Sequence, residues 1–355
     1  MKVLFVFNHP APYKVNLLNE LSSHHEIDVI FERKKNSNRP NEFYYKEQYS
    51  FNCKFIKGIP LGEENFLSFE LKKFIKSNYK NYDLIIMNGY STLAEMIALR
   101  FMIKHHIPYS LYINGGIVKR NNRLKFKIKK YFISNASSYF SPSIKSDEYL
   151  IYYGANQKSI YHYVYSTIYS NDVFFDRKSK QINSMQDLHF VTFGQFIPRK
   201  NNMQLLELCK KYGLKLTLIG SGKEETKYRK FIKQNKLENS ITIKPFLKHS
   251  DLLKELRNYD CFITLSKEDI YGHMINEALS QGLPAICSSK IVSAHKLINK
   301  DTGVIVDINN EESIKAALNY IVNNFNNFKC RDIRDQNTIE DMIESHLSIL
   351  KEMEK

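Results

Sequence analysis

Short apolar runs closed by polar residues or proline alternate along this chain with segments whose apolar positions recur every three or four residues. Residues 2–7 (KVLFVF) form the first run, and unbroken apolarity of that kind predicts a parallel strand covered on both faces. Residues 8–13 hold two prolines and predict a loop. Helical spacing follows at Val15, Leu17, Leu18 and Leu21, and 27–31 predict a second strand. The polar stretch 33–49 predicts a long mobile loop. An amphipathic helix is expected over 66–75, a strand over 84–87 ended by Asn88-Gly89, and a helix over 92–104. A strand over 109–113 runs into Asn114-Gly115-Gly116, and 139–143 predict another. Periodicity is lost over the Tyr- and Ser-rich residues 151–176, which places a domain boundary near 175.

The alternation then restarts. Strands are expected over 188–193, 214–219, 241–243, 261–265, 285–287 and 303–306. Helices are expected from 205, over 223–235, 252–256, 273–281 and 312–322, with a final amphipathic helix over 339–353 after the polar stretch 323–337. Strands alternating with helices predict doubly wound α/β domains, whose ligands sit at the carboxyl ends of the strands. At 355 residues the chain is long for one core. The expected division is 1–175, 176–335 and a C-terminal helical segment, 336–355.

Charge adds a constraint. The net charge of +15 predicts attraction to anionic partners: phosphorylated substrates, an acidic membrane surface or nucleic acid. The most basic window, 119–130 (KRNNRLKFKIKK), holds seven Lys or Arg and no acid. Leu124, Ile128, Tyr131 and Phe132 share one helical face there. A basic amphipathic helix reads as an anionic membrane-surface or acceptor site, with Lys125, Lys127, Lys129 and Lys130 as its cations. A helix packed only on its own domain is the alternative. Nucleic-acid binding fits less well, because Phe126 and Tyr131 interleave poorly with the basic run. The five cysteines lie at no C-x-x-C spacing, several of them in apolar segments, and read as buried reduced thiols rather than zinc ligands. The first apolar run is too short for a secretory leader, and no stretch reaches membrane-spanning length. A cytoplasmic protein, peripheral on the inner face of the membrane, is the expectation.

Three strand-end loops in the second half carry the candidate chemistry. Gly194 opens a turn that brings Arg199 and Lys200, a fork and a point charge suited to phosphate. Gly220-Ser221-Gly222 omits two Cβ atoms, which permits close backbone approach. Residues 265–284 (LSKEDIYGHMINEALSQGLP) read as a strand end, an acidic loop with Glu268 and Asp269, and a helix opened by Gly272 and closed by Gly282 and Pro284. Helix N–H groups and the helix dipole favour a bound anion there, and Glu277 could accept from two sugar hydroxyls. Each loop also has a plain reading as an ordinary corner, a tight turn or a solvated ion pair. Together, cations for a diphosphate and acids for hydroxyls describe a nucleotide-sugar site.

The set resembles the retaining GT-B glycosyltransferases of family GT4. Their second domain carries G-R-x-x-x-x-K-G after a strand, a later G-x-G, and E-G-F-G-x-x-x-x-E-A-x-A-x-G-x-P. Here Asp269-Ile-Tyr-Gly-His-Met-Ile-Asn-Glu277-Ala-Leu-Ser-Gln-Gly282-Leu-Pro284 keeps that spacing. The resemblance is carried by motifs in the second half and by pattern alone in the first. It implies two Rossmann-like domains facing across a cleft, with the last helix returning to the first domain. It implies retaining transfer of a hexose from a nucleotide-diphosphate sugar to a bacterial cell-surface glycan or lipid-linked oligosaccharide of capsule, O-antigen or teichoic acid type. Arg199 and Lys200 would hold the diphosphate and Glu277 the ribose. Asp269 with the backbone of Ile270, Tyr271 and Gly272 would meet the transferred sugar. Asn8, His9, Tyr13, Asn114 and Gly115 would face the acceptor. The donor phosphate would take the acceptor proton, with no covalent nucleophile, no metal and no cofactor beyond the nucleotide sugar as co-substrate.

The chain departs from the family pattern at several positions. Asp269 stands for the first Glu, so Asp269 or Glu268 makes the sugar contact. Gln195 stands for the arginine after Gly194, and Asn201 for the glycine after the lysine. The first domain has Asn8–Tyr13 in place of a glycine-rich loop, and Asn114 is nearest to the family's missing histidine, with His9 the other polar candidate. A GT-B-fold sugar-nucleotide epimerase or phosphorylase is the alternative enzyme, and a basic nucleic-acid-binding protein the non-enzyme alternative. A dinucleotide-dependent oxidoreductase is disfavoured, since no G-x-G-x-x-G follows the first strand.

Overall fold

A computed structural model describes residues 1–35, 43–44, 48–62, 65–119, 122–174, 179–330 and 337–354. Most of the polar stretch 33–49 lies outside the described residues, as do the boundary expected at 175, residues 120–121 of the basic window, and 331–336.

Two compact units emerge: Met1–Tyr165 with Ile339–Lys355, and Ser166–Thr338. The division falls ten residues ahead of the expected one. The Ser166 hydroxyl donates to the Asn337 carbonyl at 2.6 Å, which fastens the connection to the second unit.

The first unit runs β1 (Lys2–Phe7), α1 (Pro12–Leu21), β2 (Glu26–Phe31), β3 (Asn52–Phe55), β4 (Ile59–Leu61), β5 (Asn65–Leu67), α2 (Glu70–Asn78), β6 (Leu84–Met87), α3 (Leu93–Lys104), β7 (Ser110–Tyr112), α4 (Arg123–Ser134), β8 (Ser138–Ser141), α5 (Ile144–Tyr152) and β9 (Ile160–His162). Its seven-stranded parallel sheet has the order β3-β2-β1-β6-β7-β8-β9. The order reverses between β1 and β6, so the switch point lies beyond Phe7 and Met87. Residues 66–67 belong to β5 in a small antiparallel pair with β4, not to the expected helix. The Ser68 hydroxyl accepts from the Glu70 backbone N–H at 3.1 Å and starts α2 only there. Thr92 and Glu95 form a reciprocal capping box on α3.

The second unit runs β10 (His189–Gln195), α6 (Asn202–Tyr212), β11 (Lys215–Ser221), α7 (Glu225–Gln234), β12 (Ile241–Lys244), α8 (His249–Leu256), β13 (Cys261–Thr264), α9 (His273–Ser280), β14 (Ala285–Ser288), α10 (Ala294–Leu297), β15 (Gly303–Val306) and α11 (Glu311–Asn324). Its six parallel strands take the order β12-β11-β10-β13-β14-β15. The β10–β11 ladder has seven pairs, whereas β10 and β13 pair only at Phe190–Cys261 and Val191–Phe262. The sheet therefore opens at its switch point, where a ligand crevice is expected in this fold class.

The last helix, α12 (Ile339–Met353), packs on α1 within the first unit. Its His346 is fully buried, with Nε2 3.1 Å from the Tyr112 hydroxyl. Burial pushes that imidazole down to about 4, so it stays neutral in the core.

Candidate active site

The switch point of the second unit brings together residues 69 positions apart. A short turn, Pro198–Lys200, follows β10 and ends at Asn201 in the left-handed region, with φ 58°. That is the position where the related motif carries glycine, and Asn is among the side chains that tolerate it best. Asn201 also donates to the Leu265 carbonyl at 3.0 Å, tying the turn to the end of β13. The turn delivers Lys200 into the interior, 7% exposed, with Nζ 2.5 Å from Asp269 Oδ2 and 3.6 Å from the Met274 sulfur. Arg199 stays half exposed. It donates to the Glu268 carbonyl at 3.1 Å and lies 3.4 Å from Asp269 Oδ2. Burial works to raise the Asp269 carboxyl, but the Lys200 and Arg199 charges outweigh it and hold it below the usual carboxylate range.

The loop over 268–272 is fixed by a segment that the motifs did not single out. The Asp269 N–H donates to the Lys290 carbonyl, the Ser293 N–H to the Tyr271 carbonyl, and the Ser293 hydroxyl to the Gly272 carbonyl. Gly272, at φ 95°, is the N-cap of α9, and a Cβ there would fall 2.4 Å from Ile291. Only glycine can turn the chain against Ile291 at that point. Gly220 has a different reason. A Cβ on it would meet the Gly194 carbonyl oxygen at 1.9 Å. The close approach in Gly220-Ser221-Gly222 is thus to the protein's own backbone at the end of β10, at Gly194 and Phe196. Ile270 is exposed and Tyr271 buried.

Glu277 projects from the second turn of α9. Its Oε1 accepts from the Thr167 hydroxyl at 3.1 Å and lies 3.3 Å from His249 Nε2. Burial works to raise this carboxyl too, and the neighbouring His249, with His273 and Thr167 behind it, leaves it lowered. Neither Thr167 nor His249 belongs to a motif, and no sequence signal singled them out.

In the first unit the strand-end residues form a separate network. Lys14 Nζ donates to Asn88 Oδ1 at 3.1 Å, and Asn114 Nδ2 donates to the same oxygen at 3.2 Å. The Tyr165 hydroxyl donates to Asn114 Oδ1 and pairs with the Tyr13 hydroxyl, both at 3.0 Å. The structure thus joins the expected Tyr13 and Asn114 to Lys14, Asn88 and Tyr165. Asn8 and His9 lie elsewhere on the rim: Asn8 Oδ1 accepts the His9 N–H, and His9 Nδ1 lies 3.2 Å from the Tyr44 hydroxyl. Gly115 follows with φ 139°.

The basic helix α4 has two unlike faces. Leu124, Ile128 and Tyr131 are exposed, as are Lys125, Lys127 and Lys130. Phe132 is buried, away from the apolar stripe it was expected to join. Lys129 also departs from the outward row, because its Nζ lies 5.1 Å from the ring centroids of both Tyr149 and Tyr153. Among the described residues no group of three His, Cys, Asp or Glu side chains is placed to hold a metal ion, and no helix is long and apolar enough to cross a membrane.

Comparison with known proteins places this geometry. Residues 173–339 match the sequence profile of the family described as glycosyl transferases group 1. An uncharacterized glycosyltransferase of Bacillus subtilis, YqgM, is 24% identical over 137 residues, an alignment covering 37% of this chain and 38% of the relative. The Anabaena protein HepE in complex with UDP superposes with a TM-score of 0.74 at 16% identity, over 99% of this chain and all of that one. The lipopolysaccharide outer core galactosyltransferase WaaB gives 0.68 at 14% identity, over 99% of both chains. The chain thus has the GT-B glycosyltransferase fold, and most of its second unit is similar to the glycosyl transferases group 1 family.

Proposed function

We propose that this chain is a retaining, metal-independent hexosyltransferase. It takes a nucleoside diphosphate sugar on the second unit and an acceptor hydroxyl of a cell-envelope glycan or its lipid-linked precursor on the first. The observation that carries this is the Lys200–Arg199–Asp269 constellation at the open switch point of the second unit. A buried ammonium and a half-exposed guanidinium there converge on a carboxylate beside the N-terminus of a helix. Asp269 holds the two cations in place until a diphosphate takes their charge. The leaving diphosphate is then stabilised by groups already positioned, which is where an enzyme gains most over water. Glu277 accepts from the ribose hydroxyls, and Asp269, released from Lys200, accepts from the transferred sugar. A donor phosphate oxygen removes the acceptor proton on the face that the leaving group departs, so configuration is retained without a protein nucleophile. HepE structures with UDP and with UDP-glucose support a nucleotide-sugar donor, and WaaB, by its name, supports an envelope acceptor.

A thermal-shift screen of UDP-, GDP- and dTDP-sugars is expected to give one donor that raises the melting temperature, since a ligand bound to the folded state stabilises by mass action. Glu277→Ala should weaken that donor by about 10²-fold, the scale of two hydrogen bonds to a charged group. Unchanged donor affinity would remove Glu277 from the site.

For the acceptor side, the exposed face of α4 supports a membrane-borne substrate: three lysines flank an apolar stripe of Leu124, Ile128 and Tyr131. Each surface cation near an anionic leaflet contributes about 1 kcal/mol. Replacing Lys125, Lys127 and Lys130 together by Gln should therefore cut pelleting with phosphatidylglycerol vesicles by at least about tenfold. Pelleting equal to that of the unmodified protein would show that α4 serves only its own unit.

A further inference from the structure

His249 is the first residue of α8 and lies outside the motifs from which the donor site is read. Its Nε2 is 3.3 Å from Glu277 Oε1, and the Thr167 hydroxyl reaches the same oxygen at 3.1 Å from the segment before β10. Two separate parts of the unit therefore fasten Glu277 by one oxygen. Its Oε2 has no partner among the described residues and is not a buried unsatisfied atom. A glutamate held at one oxygen has lost the rotamer freedom that binding would otherwise have to remove.

The charges around the pair agree. Burial pushes the His249 imidazole down, but the Glu277 carboxylate 3.3 Å away, followed by the Asp172 charge, outweighs it and holds it above its ordinary value. His273 faces Glu277 from α9, and Asp172 comes from the turn Ser170–Asp172. Lys244 of β12 and Glu255 of α8 are occupied with each other at 2.7 Å. A buried carboxylate needs such a partner, because alone it would gain a proton instead.

We propose that His249 is a positioning residue of the donor site: as a cation it holds Glu277 by Oε1 and so presents Oε2 to the ribose hydroxyls of a nucleoside diphosphate. This rests on the reading of the second unit as a nucleotide-sugar site and names the device that aims its carboxylate. Nothing in His249 touches the reacting atoms, and its whole effect passes through Glu277.

The test uses the full chain and the diphosphate among UDP, GDP, ADP and CDP that raises its melting temperature most. Affinities for that diphosphate and for its 2′,3′-dideoxy analogue are measured by calorimetry at pH 6, 7.5 and 9. The wild-type protein should favour the ribose form by about 10²-fold at pH 6, the scale of two hydrogen bonds to a charged group. The imidazolium is present below its folded pKa and lost as pH rises through it, so that preference should shrink toward pH 9. His249→Ala should lose the preference at every pH while binding the dideoxy form as wild type does. His249→Gln keeps a donor to Glu277 that does not titrate, so it should retain the preference and lose the pH slope. Wild-type preference and slope in His249→Ala would overturn the proposal. A persisting slope in His249→Gln would do so even if the alanine variant fails to fold. If no diphosphate shifts the melting of the wild-type protein, the donor-site reading itself falls, which is a different result from either of these.

Discussion

Lys200→Ala is expected to lower kcat/KM by about 10³-fold, the upper range for removing one preorganised charge-stabilising donor. Lys200 is nearly buried and its ammonium contacts Asp269 at 2.5 Å, so little solvent is available to replace it. Arg199, half exposed, should matter less: Arg199→Ala is expected to cost about tenfold, because water screens an exposed cation. Lys200→Ala also strands the Asp269 carboxylate beside Arg199 alone, and breaking a buried pair by removing one partner costs about 3–5 kcal/mol. Lost activity could then reflect a weakened fold. The double variant Lys200→Ala with Asp269→Asn removes the stranded charge. It should recover most of the melting temperature and none of the turnover. Turnover restored along with stability would mean that Lys200 serves the fold and not the diphosphate.

The sequence made the second unit more legible than the first. Apolar runs closed by polar stops marked its six strands, because a parallel sheet buried on both faces leaves an unmistakable pattern. The motif spacing placed Lys200 and Asp269 on loops after β10 and β13. Strand order, which no local pattern encodes, is what makes those loops neighbours. The small β4–β5 pair was missed because Phe66 also fits the helical spacing of α2, and only the Ser68 hydroxyl decides where that helix begins. Phe132 illustrates the same limit. It shares a helical face with Tyr131 by spacing, yet the core of the first unit claims it. His249 and Thr167 carried no signal at all, since a single His at a helix start and a single Thr in a connection are ordinary. They become meaningful only once tertiary structure sets them on Glu277. The glycines were recognised as close-approach positions, but for Gly220 the approaching backbone is that of Gly194.

The contribution of Glu32 to stability should fall by about 1–3 kcal/mol as pH rises from 5 to 7, and Glu32→Gln should remove that loss. Glu32 follows β2 and is 1% exposed, with Oε1 accepting from the Thr92 hydroxyl and Oε2 3.8 Å from the Arg33 guanidinium. Glu95 lies beside it, fully buried, its Oε2 accepting the Ser91 and Thr92 N–H groups at 2.7 and 3.0 Å. Burial, with the Glu95 charge adding to it, pushes Glu32 up to about 8, and burial raises Glu95 as well. A carboxyl raised from 4.5 when folded binds its proton more tightly than the unfolded chain does. Its contribution is complete below 4.5 and is lost as pH climbs through the folded value. Lys14 works in the opposite sense. Burial lowers it to about 7 from 10.5, so its penalty for staying charged eases only above neutrality. Between pH 5 and 7 the buried His346 imidazole, lowered to about 4, pulls the other way, so the Glu32 share of the slope is the difference between the wild type and Glu32→Gln. A glutamine amide in place of the Glu32 carboxyl would keep the acceptor for Thr92 and carry no charge to bury, so the variant should equal the wild type near pH 5 and exceed it near 7. Urea melts at pH 5, 6 and 7 measure this directly, and parallel slopes for the two proteins would show that Glu32 is already ionised in the folded state.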